Sequence, residues 1–128
     1  MRGFFIIMKK NISEIEIMIR SILGKDKFLM LNMILLKKLD PNTACFLTLL
    51  LDKYEYLVKS KQITDVEGMS VYRREITQKL NLSPYQQRKI ETTLISLGLI
   101  KIKEQRVEQE TFNLYYFDIL NIYQFVEE

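Results

Sequence analysis

Between Ser83 and Ile100 the chain reads SPYQQRKIETTLISLGLI, a helix with both ends marked and a strand starting at once. Ser83 suits an N-cap, Pro84 the first helical position, and Gly98 the left-handed residue that stops a helix. Leu99, Ile100 and Ile102 then alternate with Lys101 and Lys103, the period of a strand. Ile90, Leu94 and Leu97 recur at steps of four and three and predict a buried stripe. Tyr85, Gln86, Arg88, Lys89 and Thr92 fall off that stripe and face outward. Gln87 lies nearer to it and is expected to be partly covered.

Upstream, Arg73 to Leu80 (RREITQKL) predicts a shorter helix with Ile76 and Leu80 inward, and only Asn81 and Leu82 separate it from Ser83. Two helices joined so tightly form a helix-turn-helix. A hairpin follows, with LIKIKEQ and TFNLYYFDI flanking a turn at Arg106 to Glu110. With that hairpin, the stretch from Asp40 to Ile119 resembles the winged helix-turn-helix family. Its second wing strand, NLYYFDI, looks most like the DNA-binding domains of phage and plasmid replication proteins. The resemblance implies an α+β, mostly helical fold, a winged helix-turn-helix with a three-stranded antiparallel wing sheet, here with an extra N-terminal helix. It implies sequence-specific binding of double-stranded DNA in replication initiation or transcriptional regulation, with replication or transcription proteins as further partners. The alternative is a winged-helix module that assembles proteins and binds no DNA specifically.

Glutamine can pair bidentately with adenine, and arginine with guanine, in the major groove. The expected DNA face is therefore Gln86 and Arg88 with Ser83, Tyr85, Lys89 and Thr92. Arg73 and Arg74 join it from the first helix, and Lys101, Lys103 and Arg106 from the wing, where contacts position a protein without naming a sequence. Charge supports this grouping. From Arg73 to Lys103 there are seven bases against two acids, although the whole chain carries only +3. Glu104, Glu108 and Glu110 weaken the wing's part.

A chain of 128 residues with 48% apolar content is sized for one domain. The expected division is an N-terminal extension over 1–39, a winged helix over 40–119 and a C-terminal segment over 120–128. With one cysteine, Cys45, and no histidine, no disulfide or zinc site is expected, and the commonest general base is missing. Asp40 reads as a cap and Glu55 as a partner for Lys59. No glycine-rich phosphate loop or cofactor fingerprint is present, so the expectation is a non-enzyme without cofactor or metal. The apolar run Phe4 to Met8 is too short for a targeting segment and no membrane span is evident, so a cytoplasmic protein is expected.

Asn11 to Leu23 has a helical pattern with Asn11 as cap, Glu14 at the third position and Gly24 as stop. Ile15, Met18, Ile19, Ile22 and Leu23 form its apolar stripe. Met33 to Leu39 suits a turn or two of helix. A longer helix begins at Asp40 and Pro41, with Ala44, Leu47, Leu50, Leu51, Tyr54, Leu57 and Val58 inward and Phe46, Leu49 and Tyr56 off that stripe. The N-terminal stripe either completes the domain's own core or, together with Phe46 and Leu49, makes a homodimer, with the homodimer as the expectation. Lys59 to Gly68 reads as a loop, Met69 to Tyr72 as a lone strand, and Ile119 to Val126 as a last helix. In the second wing strand Phe112, Leu114 and Tyr116 face one way and Asn113, Tyr115 and Phe117 the other. The face with Tyr115 and Phe117 is expected to be the one turned from the helices.

Overall fold

The structure, a computed structural model, describes residues 12–23, 29–63 and 68–127. The chain divides into two compact units, Met1–Met30 and Leu31–Glu128. The expected cap Asn11, stop Gly24, apolar start Phe4 to Met8 and basic residues Arg2, Lys9, Lys10, Lys25 and Lys27 lie outside the described residues. So do Phe28, residues 64–67 of the loop and the side chain of Leu23.

In the first unit, α1 runs Ile12–Leu23. Ile15 is half-buried, whereas Ile12 and Ile22 are 75% and 80% exposed. Ile17, Met18 and Ile19 are exposed as well.

The second unit is an α+β assembly in which helices cover one face of a three-stranded antiparallel sheet. Its first helix, α2 (Met33–Lys38), is capped by Asn32, whose Oδ1 accepts from the Ile34 and Leu35 amides at 2.7 and 3.2 Å. Leu35 and Leu39, expected in an N-terminal extension, belong to this unit's core. Asp40 then caps α3 (Pro41–Lys59), with Pro41 in the first turn where no amide is needed. Ala44, Leu47, Leu50 and Tyr54 are buried as their spacing predicts, while Val58 is exposed. The Glu55 and Lys59 pair forms on the exposed side at 2.6 Å.

After β1 (Met69–Val71), α4 (Arg73–Leu80) ends on Asn81, which takes the left-handed conformation at φ 57° that asparagine tolerates. Leu82 turns into the core, and Ser83 caps α5 (Pro84–Ser96). The cap is reciprocal: Ser83 Oγ accepts from the Gln86 amide at 3.1 Å, and Gln86 Oε1 accepts from the Ser83 amide at 2.9 Å. At the other end Gly98, at φ 74°, donates to the Ile95 carbonyl at 2.9 Å, and Leu99 donates to the Leu94 carbonyl at 3.1 Å. This paired closure turns the chain back so that Leu99, not Leu97, enters the core. Leu97 is 44% exposed and Leu99 1%. The stripe of α5 is accordingly Gln87, Ile90, Glu91 and Leu94.

Strands β2 (Ile100–Val107) and β3 (Glu110–Phe117) form a hairpin longer than expected, closed by Glu108 and Gln109 alone, with Glu108 at φ 58°. The sheet order is β1-β3-β2. Pairing of Met69 with Tyr115 and of Val71 with Asn113 puts Asn113 and Tyr115 on the buried face. The expected orientation of the sheet is thus reversed: Tyr115 packs edge-on against Phe46 of α3 at 6.2 Å, and Phe117 lies 4.9 Å from Tyr54. On the opposite face Tyr116 crosses Gly68, where a Cβ would come within 2.7 Å of its ring. Asp118 is a cap, not a strand residue. Its Oδ1 accepts from the Asn121 amide at 3.0 Å and starts α6 (Ile119–Glu127), which buries Ile122.

Candidate functional site

The expected contact residues fall into three groups. The first is the outer arc of α5. Arg88 and Thr92 flank the Glu91 edge of the buried stripe, Lys89 lies opposite the stripe, and Tyr85 stands between them at 100° per residue. Tyr85 is 69% exposed and has the Lys89 ammonium 6.0 Å from its ring centre. Arg88 has no ion-pair partner among the described residues. Thr92 is exposed but its hydroxyl donates back to the Arg88 carbonyl at 3.0 Å, and Ser83 and Gln86 are occupied by the reciprocal cap. A shallow groove of about 340 Å³ separates Gln86, Lys89 and Thr93 from Asp40, Asn42 and Thr43 at the start of α3.

The second group, Arg73 and Arg74, is engaged within the fold. Both Arg73 Nη atoms donate to the Glu91 carboxylate at 3.0 Å. The Arg74 guanidinium pairs with Glu110 of β3 and lies 4.8 Å from the Tyr72 ring centre. Each pair is neutral overall, so the exposed cations left on the outer arc of α5 are Arg88 and Lys89.

The third group is split by the sheet. Register pairs Lys101 with Tyr116 and Lys103 with Leu114, on the face turned from the helices. Arg106 pairs with Thr111, on the same face as Asn113 and Tyr115 and therefore on the α5 side. Lys101 instead borders a cleft of about 610 Å³ with Ile95, Tyr116, Asp118 and Ile119. Of the residues expected in a dimer, Phe46 is fully enclosed in its own unit's core, while Leu49 is half-buried.

Two buried polar clusters lie beneath this surface, outside the expected apolar stripe. Gln87 is wholly buried rather than partly covered, and its amide donates to Thr77 Oγ1 at 2.8 Å, the Leu82 carbonyl at 2.9 Å and the Arg73 carbonyl at 3.3 Å. It thereby fastens α5 to the end of α4. Glu91 accepts from Arg73 and, at 2.9 Å, from the Tyr115 hydroxyl, with Asn113 Nδ2 3.5 Å away. Burial first, then the Glu91 charge, pushes the Tyr115 hydroxyl far up from its ordinary value of 10.0, so it stays a donor. Spacing held the signal: Gln87 and Glu91 are four apart and bracket Ile90, so they share its side of the helix.

This surface can present cations and amide or hydroxyl groups to an anion. Among the described residues, no group of three or more metal-ligating side chains converges, and no helix is long and apolar enough to cross a membrane. Compared with family models, curated proteins and solved structures, the chain matches none.

Proposed function

We propose that the chain binds double-stranded DNA as a winged helix, with α4 and α5 as the helix-turn-helix, α5 in the major groove and the β2–β3 hairpin as the wing. One observation carries the reading. Arg88 and Lys89 stand exposed on a helix fastened at both ends, while Glu91, the one acid of that helix, is buried and held by Arg73. Cations carried on a rigid helix suit phosphate and base-edge contact, since the backbone that bears them need not be ordered on docking. Tyr85 and Thr92 supply further contacts, and Arg106 adds one from the wing. Sequence-specific use in replication initiation or transcription, in the cytoplasm, extends this reading.

The test is fluorescence anisotropy of the intact chain on a random-sequence duplex at increasing salt. Binding that weakens linearly in log affinity against log salt is the expected result. Affinity that is absent, or indifferent to salt, removes the reading.

The exposed isoleucines of α1 favour a second element, self-association through Ile15, Met18, Ile19 and Ile22. Two associated copies would carry two α5 helices, one for each half-site of a symmetric target. Sedimentation of the intact chain and of a chain beginning at Lys25 checks this, with a dimer expected for the first and a monomer for the second.

A further inference from the structure

Glu91 is the only acid on α5, yet it is 6% exposed. Its carboxylate ties α5 to two other elements: Arg73 of α4 holds it with two bonds of 3.0 Å, and Tyr115 of β3 donates to it at 2.9 Å. A buried ion pair adds little net stability over an apolar replacement. What the planar guanidinium adds is direction, because two parallel bonds fix both position and rotation. The Tyr115 ring is itself held by Phe46, so the third bond comes from a rigid donor.

The cluster also lies between two cations. Along the buried face of the sheet the rungs run from Tyr115 to Asn113 and then to Thr111, whose partner is Arg106. Along α5, Glu91 is three residues from Arg88 and on the same edge of the helix. We propose that Glu91, clamped by Arg73 and Tyr115, is a positioning residue that sets the angle between α5 and the β2–β3 hairpin, so that Arg88 and Arg106 engage one duplex together. This rests on the duplex-binding reading. With the clamp loosened, the hairpin still folds, but Arg106 no longer meets the backbone that α5 has selected.

The test is a double-mutant cycle on the full chain: wild type, Arg106→Ala, Tyr115→Phe and the double variant, each titrated on a random-sequence duplex at several salt concentrations. In the wild-type background, Arg106→Ala should lower the salt slope by about 0.9, the loss of one phosphate contact. In the Tyr115→Phe background it should leave the slope unchanged. Tyr115→Phe removes a single oxygen, and thermal unfolding fixes a temperature at which every variant is native. Glu91→Gln, which keeps the shape but weakens the Arg73 bonds, should reproduce the Tyr115→Phe result. An undiminished Arg106→Ala effect in both backgrounds overturns the proposal, as does an Arg106→Ala variant with wild-type affinity and slope. A wild-type chain that ignores duplex DNA removes the duplex-binding reading and this inference with it.

Discussion

The Gln87 amide and the Thr77 hydroxyl meet at 2.8 Å beneath the turn that joins α4 to α5. Thr77 spends its own proton on the Arg73 or Leu82 carbonyl, at 3.1 and 3.0 Å, so it can only accept from Gln87. The direction of the whole cluster follows from that one hydroxyl.

Gln87→Met is therefore expected to destabilise the chain by about 0.5–1.5 kcal/mol, the loss of the amide's donations offset in part by removal of its partnerless Oε1. Urea unfolding should show a lower midpoint at an unchanged slope. An unchanged midpoint would mean that the amide contributes nothing to the turn.

Arg88→Ala combined with Lys89→Ala should abolish duplex binding while stability moves by less than about 0.5 kcal/mol, as surface changes usually do. Anisotropy and thermal unfolding on the same samples separate the two effects. Wild-type binding by the double variant would assign the contact to another surface.

Leu94→Ala and Leu97→Ala make a paired test of how α5 ends. Leu94 is fully enclosed, so its truncation should cost about 2–5 kcal/mol. Leu97 is partly open to solvent just before the closure at Gly98, and its truncation should cost less than about 1 kcal/mol. Equal losses would return Leu97 to the core.

Tyr115 predicts a pH dependence of defined sign. Its hydroxyl is raised above the ordinary 10.0, so above that pH the unfolded chain loses a proton that the folded chain keeps. Stability should be fully present below pH 10 and fall above it by up to about 1.4 kcal/mol per pH unit from this group. Other tyrosines and lysines titrate in the same range, so the measured quantity is the difference between wild type and Tyr115→Phe. That difference should shrink as pH rises from 9 to 12.

The ends of α5 and the start of α3 were legible in the sequence because caps are local: Ser83 with Pro84, and Asp40 with Pro41, act on amides a few residues away. The face of the sheet was not. Phe112, Leu114 and Tyr116 are as apolar as Tyr115 and Phe117, so alternation named two faces without saying which was buried, and the polar Asn113 pointed the wrong way. Among the candidate contacts, the exposure of Tyr85, Arg88 and Lys89 followed from helical spacing. The capture of Arg73 by Glu91 and of Arg74 by Glu110 did not, because partners 18 and 36 residues apart are joined only by the completed fold.

Strand order carries a consequence for how the chain is made. The middle strand of the sheet, β3, is the last to be synthesised, and both β1 and β2 pair only with it. Until it emerges from the ribosome, Met69, Val71 and Ile100 have no sheet to enter, and the partners Met69 and Tyr115 are separated by nearly half of the unit. Helices can form earlier from local contacts, whereas pairing across such a distance waits on loop closure. A nascent chain halted after β2 should remain protease-sensitive, and release of a few more residues should convert it to the folded unit in a single late step.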